Sequence, residues 1–196
     1  AMAYATTNPA TGETVKTFET ATDQQIRDAV ARSAKEYTSW RTVPVAERAR
    51  LMHTMAGLYR DREDELAALI TEEMGKPLAQ SVEEVRLVAD IYDYYADNAE
   101  EFMKGRTLTP STGGEARVVL DSTGVVLGIM PWNFPYYQVA RLAAPNVMLG
   151  NTVLLKHAGN VPQAALVQEE LFRDAGFPED VYINIFASNE QIADIV

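Results

Sequence analysis

The sequence predicts an α/β fold, with part of a parallel sheet preceded by a helical segment and a β-hairpin. Three observations carry this reading. Short apolar runs at 125–130, 152–155 and 181–186 are separated by stretches of helical spacing, which is the order of successive βαβ units. The first hundred residues repeat apolar positions at three and four, the period of amphipathic helices. Between these two regions the composition turns to Thr, Pro, Ser and Gly, with Gly113-Gly114 joining two strand-like segments.

The opening segment carries a turn signal, Asn8-Pro9-Ala10-Thr11-Gly12, followed by Val15 and Phe18, and predicts a short hairpin or an extended arm lying on another element. Ala1 before Met2 reads as a cloning remnant. Thr22 with Gln25 forms a capping-box pattern ahead of Ile26, Ala29, Val30, Ala34 and Tyr37, which follow helical spacing. Pro44 opens a second helix with the stripe Leu51, Met52, Met55, Leu58 and Tyr59. The charged patch 61–65 marks a break before Leu66, Leu69, Ile70 and Met74, and Gly75 with Pro77 ends that segment. From Leu78 to Phe102 one long helix is expected, with Glu83, Glu84, Asp90, Asp93, Asp97, Glu100 and Glu101 on its solvent face. The hairpin is expected from Thr107 to Leu120.

The run Val125 to Met130 reads as a strand buried on both faces, stopped by Pro131-Trp132-Asn133-Phe134. A helix then runs to the stop signal Gly150-Asn151, and a second strand ends at Lys156. Two parallel strands joined in this way end on one edge of the sheet, where open α/β sheets bind ligands, so Asn133 and Lys156 are expected to share a crevice. A further helix from Pro162 closes at Gly176 and Pro178, a third strand follows, and Asn189 is the expected cap of one more helix. A parallel sheet is covered on both faces and has more than three strands as a rule, so the chain reads as the front portion of a larger protein.

Composition narrows the functions. The net charge of −11 over 196 residues argues against nucleic acid or an anionic membrane surface as partner. No leader pattern or membrane-length apolar run stands in the sequence, which makes the cytoplasm the default location. With no cysteine and two isolated histidines, no disulfide, thiolate nucleophile or metal cluster is expected. On residue chemistry alone, Asn133 is either a hydrogen-bond donor to a developing oxyanion or a turn residue bonded to its own backbone. Lys156 is either a ligand for nucleotide hydroxyls or phosphate or a solvated strand end. Neither G-x-G-x-x-G nor a Walker A loop occurs. His53 and Tyr92, Tyr94 and Tyr95 read as helix packing.

The stretch Pro131-Trp132-Asn133-Phe134-Pro135, the Gly150-Asn151 turn, the Leu154-Leu155-Lys156 strand end and Asp174-Ala175-Gly176-Phe177-Pro178 together resemble the aldehyde dehydrogenase superfamily. Asn8-Pro9-Ala10-Thr11-Gly12-Glu13 and Glu73-Met74-Gly75-Lys76-Pro77 agree with it. The resemblance covers the whole chain, and Lys156-His157-Ala158 with Met130 points to the succinate-semialdehyde branch. It implies a Rossmann-like sheet, with 1–105 as the helical part of the cofactor domain, 106–123 as an oligomerisation arm and 124–196 as the first βαβ units. It makes Asn133 the side-chain member of the oxyanion hole, lines the nicotinamide cofactor with Ile129, Met130, Pro131 and Trp132, and places Lys156, His157, Ala158 and Gly159 along the adenosine ribose. NADP or NAD is the implied cofactor. Gly159 stands where many NAD-preferring relatives carry a glutamate, which favours NADP. A small aldehyde is the implied substrate, with Tyr137 at its entrance and Arg141 meeting a substrate carboxylate, and a homo-oligomer the implied full-length assembly. The family's nucleophilic cysteine and general-base glutamate have no counterpart here, so the chain alone is expected to be inactive, as half of such an enzyme. A noncatalytic nucleotide-binding or association module is the alternative.

Overall fold

The computed structural model describes residues 4–195, and Ala1 lies outside them. Strand β1 (Tyr4–Thr7) pairs antiparallel with β2 (Thr14–Phe18) through the turn at Gly12, as the first segment predicts. Helix α1 (Asp23–Trp40) starts on the expected capping box, in which Thr22 Oγ1 accepts the Gln25 N–H and Gln25 Oε1 accepts the Thr22 N–H. Helices α2 (Val45–Asp61) and α3 (Glu63–Met74) break at Arg62, inside the charged patch. Gly75 ends α3 at φ +78°, a left-handed conformation open to glycine, and α4 (Leu78–Phe102) follows after Pro77.

The long helix corrects the sequence reading at one position. Glu84 is 3% exposed and lies among Ser81, Val85, Val88 and Tyr92 on the buried face of α4, so it is not part of the solvent face. The hairpin forms from β3 (Arg106–Leu108) and β4 (Ala116–Val118), shorter than the stretch expected.

Three parallel strands follow, β5 (Val125–Met130), β6 (Thr152–His157) and β7 (Tyr182–Asn184), in the order β5-β6-β7. Helix α5 (Tyr137–Leu149) connects the first pair and α6 (Pro162–Asp174) the second, and a single 3₁₀ turn at Glu179–Val181 precedes β7. Ser188, not Asn189, caps the last helix, α7 (Asn189–Ile195): its Oγ accepts the Gln191 N–H at 3.1 Å while Gln191 Oε1 accepts the Ser188 N–H at 2.9 Å.

Side-chain alternation along β6 sorts the core into two faces. Leu154 packs with Ile26 and Ala29 of α1 and with Ile183, Ile185 and Ile192. Val153 and Leu155 point the other way, into the larger core formed with α2 to α6 around Met52, Met55, Tyr59, Tyr92, Tyr136 and Phe172. β6 is therefore buried on both faces. β5 is not: Val125, Val126 and Leu127 are half-buried and Ile129 is 57% exposed. The reason is its place at the edge of the sheet, where among the described residues only β6 flanks it.

Candidate active site and nucleotide edge

The register pairs Ile129 with Lys156 and Met130 with His157, so the loop after β5 and the end of β6 leave the sheet from the same edge. Pro131, Trp132 and Asn133 are exposed, Trp132 by 51%. The Asn133 carboxamide makes no hydrogen bond among the described residues, while its surroundings are held from several sides. The Pro135 carbonyl accepts from His157 Nε2 at 2.8 Å and from Gln168 Nε2 at 3.3 Å. The Tyr136 and Tyr137 N–H groups donate to Glu84 Oε1 at 3.0 and 3.1 Å, and the Tyr136 hydroxyl donates to the Leu66 carbonyl at 3.0 Å. Asn133 thus presents free donors from an anchored turn.

His157 serves this anchoring. It is 1% exposed, and its Nδ1 accepts the Ala158 N–H at 2.9 Å, which leaves the proton on Nε2 for Pro135. Burial pushes its pKa down to about 4, so the ring is neutral at pH 7. Its side chain faces the protein interior, whereas Ala158 and Gly159 remain half-buried at the edge.

Lys156 is half-buried, with its ammonium 3.3 Å from the His157 carbonyl and 5.6 Å from the centre of the Tyr4 ring. Partial desolvation lowers its pKa from the ordinary lysine value. A small crevice of about 90 Å³ opens beside it, lined by Tyr4, Lys156, Gly159, Ser188, Asn189 and Glu190. The β1–β2 hairpin is docked here: Ala5 N–H donates to the Gly159 carbonyl at 3.0 Å and the Tyr4 hydroxyl to the Ala187 carbonyl at 2.7 Å. Tyr4 and Ser188 were absent from the sequence-based site, since only long-range contacts bring them to Lys156. On α5, Tyr137 packs edge-on against Phe134 with ring centres 5.8 Å apart, and the Arg141 guanidinium lies 5.3 Å from the Tyr137 ring centre. Arg141 is exposed and forms no ion pair among the described residues.

A family model described as "Aldehyde dehydrogenase family" matches residues 1–196. The chain belongs to the aldehyde dehydrogenase family. Among its relatives, the succinate-semialdehyde dehydrogenase [NADP(+)] of Deinococcus radiodurans is 49% identical over 192 residues, covering 98% of this chain and 39% of that protein. A probable succinate-semialdehyde dehydrogenase [NADP(+)] of Synechocystis is 40% identical, over 100% of this chain and 43% of the relative. The crystal structure of succinic semialdehyde dehydrogenase from Streptococcus pyogenes in complex with NADP+ superimposes with a TM-score of 0.95 at 40% identity, covering 98% of this chain and 42% of that one. The chain thus spans about two fifths of the length of the aldehyde dehydrogenases it matches.

Within this chain, the mid-chain and amino-terminal segments that carry the family resemblance also meet. A Cβ on Gly75 would stand 2.9 Å from Pro9 Cγ, so the Asn8-to-Gly12 turn packs on the Glu73-to-Pro77 turn. Glu73, 2% exposed, accepts from the Gln163 N–H at 3.0 Å, the Ala164 N–H at 2.7 Å and Thr6 Oγ1 at 2.6 Å. It holds the first turn of α6, and its pKa is raised by burial against those bonds. Among the described residues no cluster of three acidic, histidine or cysteine side chains could hold a metal ion, and no helix is long and apolar enough to cross a membrane.

Proposed function

We propose that this chain is the amino-terminal portion of an NADP-dependent aldehyde dehydrogenase that oxidises succinic semialdehyde to succinate. The observation that carries the reading is Asn133, exposed and without a hydrogen-bond partner among the described residues, on a turn fixed by Glu84, His157 and Gln168 and on the same sheet edge as Lys156. The names of the relatives from Deinococcus radiodurans and Streptococcus pyogenes support the substrate and the cofactor.

The Asn133 carboxamide N–H donates to the aldehyde oxygen as that oxygen gains negative charge, a stabilisation present only as the tetrahedral species forms. Ile129, Met130, Pro131 and Trp132 line the path of the nicotinamide along the loop. Lys156, with Gly159 beside it, takes the adenosine ribose and its 2′-phosphate. Gly159 itself carries no carboxylate to repel that phosphate, and the half-buried Lys156 ammonium is its counter-charge in a crevice that Glu190 also lines. When bound, the nicotinamide accepts the hydride. Arg141, without an ion pair among the described residues of a chain of net charge −11, receives the far carboxylate of the four-carbon substrate beside Tyr137. The chain has no cysteine, so the nucleophile belongs to the rest of the enzyme. We read 1–105 and 124–196 as parts of the cofactor domain. The 106–123 arm, with Val119 72% and Leu120 53% exposed, is read as the oligomerisation element.

The test is NADPH formation from succinic semialdehyde by the full-length protein carrying this chain. Asn133→Ala is expected to lower kcat by about 10²–10³, the loss that follows removal of one oxyanion donor. Arg141→Ala is expected to raise KM for succinic semialdehyde by about tenfold and to leave KM for uncharged butanal unchanged. Equal KM values for both aldehydes in the two proteins would remove Arg141 from the site.

A further inference from the structure

Glu84 is a buried carboxylate that the proposed chemistry does not use, and the sequence reading placed it in solvent. Its two oxygens do different things. Oε1 accepts the N–H groups of Tyr136 and Tyr137, the first backbone donors of α5, at 3.0 and 3.1 Å. Oε2 pairs with the ammonium of Lys76, itself 7% exposed. That ammonium also lies over the face of the Phe134 ring, 3.7 Å from its centre. One ion pair therefore grips the chain at Phe134, Tyr136 and Tyr137, immediately after Asn133. An anion at a helix amino terminus complements the helix dipole, and a cation close to an aromatic face is attracted to it.

A buried ion pair is a poor device for stability alone, since desolvation of both charges offsets most of their attraction. It is a good device for geometry. The Glu84 carboxylate is carried by the long helix α4 and Lys76 by the turn between α3 and α4, so the pair ties the turn after β5 to the helical layer, in addition to its tie to the sheet through His157 and the Pro135 carbonyl. The Asn133 carboxamide has no hydrogen bond among the described residues to set its position. A donor must sit within a few tenths of an ångström of the developing oxyanion, and a displacement of about 1 Å costs about 10²-fold in rate.

We propose that Glu84, with Lys76, is a positioning residue for the oxyanion donor: the pair sets the place of Asn133 without touching substrate or cofactor. This rests on the reading of Asn133 given above. The experiment is a double-mutant cycle in the full-length protein with succinic semialdehyde and NADP+, comparing wild type, Glu84→Gln, Asn133→Ala and the combination, with the melting temperature of each. Glu84→Gln is expected to lower kcat by about tenfold and leave KM for NADP within about twofold, and in the Asn133→Ala background to change kcat by less than about twofold. A residue that only stabilises the fold would lower kcat equally in both backgrounds, and that result overturns the proposal. So does a kcat for Glu84→Gln within twofold of wild type while Asn133→Ala is impaired. Normal kcat in Asn133→Ala itself overturns the reading of Asn133 and this inference with it. Should Glu84→Gln not fold, Lys76→Met/Glu84→Leu, which removes both charges together, runs the same cycle with the same expected coupling.

Discussion

His157 ties the two halves of the site together through a neutral ring, and that makes stability depend on pH. Its folded pKa, about 4, lies below the unfolded value of 6.5, so the unfolded chain binds the proton more readily. The contribution is complete above pH 6.5 and is lost as pH falls from 6.5 towards 4, amounting to about 3 kcal/mol for this fully buried group. Urea unfolding of wild type against His157→Leu across that window is expected to show a stability difference that shrinks as the pH drops. A constant difference would mean that the ring titrates alike in the folded and unfolded chain. Gly159 is the second informative residue. Introducing a carboxylate there, Gly159→Glu, is expected to raise KM for NADP by about tenfold or more and to lower it for NAD, because like charges meet at the 2′-phosphate. The sequence pointed to Asn133 and Lys156 because each follows or closes a strand that local patterns define, and to Gly159 only through the family resemblance. Glu84 was misplaced because charge was read ahead of phase. It lies three residues after Ser81 and four before Val88, on the stripe that the apolar positions of α4 already trace.

Between β5 and β6, the elements are joined by side-chain chemistry that a stop signal only hints at. Gly150 ends α5 at φ +105°, and a Cβ there would come within 3.3 Å of Arg41 Cα. The next residue, Asn151, is 2% exposed. Its Oδ1 accepts the N–H groups of Thr123 and Gly124 at 2.7 and 3.0 Å, and its Nδ2 donates to Asn146 Oδ1 at 3.0 Å. One side chain thus fixes the start of β5 against the start of β6, and through them the level at which Asn133 and Lys156 leave the sheet. Asn151→Ala is expected to cost about 2–3 kcal/mol, since buried N–H groups lose their acceptor, and Gly150→Ala about 1–2 kcal/mol from backbone strain. Chemical denaturation of each variant checks both values. The elements themselves were legible where a period and a cap coincide, as at Thr22 and α1. Ends set by distant partners were not: Val181 belongs to a 3₁₀ turn instead of β7, and the 106–118 hairpin is shorter than its glycines implied.

At the scale of the molecule, the sheet is asymmetric. β6 is covered on both faces and flanked on both sides, while β5, with the most direct link to Asn133, has one edge unpaired among the described residues and an exposed Ile129. The sequence predicts β5 to be buried on both faces, because an apolar run reports the burial a strand needs and not the neighbours present. Parallel strands with open edges expose unpaired N–H and C=O groups and apolar side chains, a combination that favours pairing with further chain. This has a measurable consequence for the site. In the 196-residue chain by itself, the β5 amides directed away from β6 are expected to exchange with solvent deuterium in seconds to minutes, while those of β6 remain protected close to the global unfolding limit. In the full-length protein the same β5 amides are expected to be protected to the level of β6. Rapid exchange of β5 in both proteins would mean that the strand leading to Asn133 is flexible in the full-length protein, and an oxyanion donor on the turn after a flexible strand could not hold the geometry proposed for it.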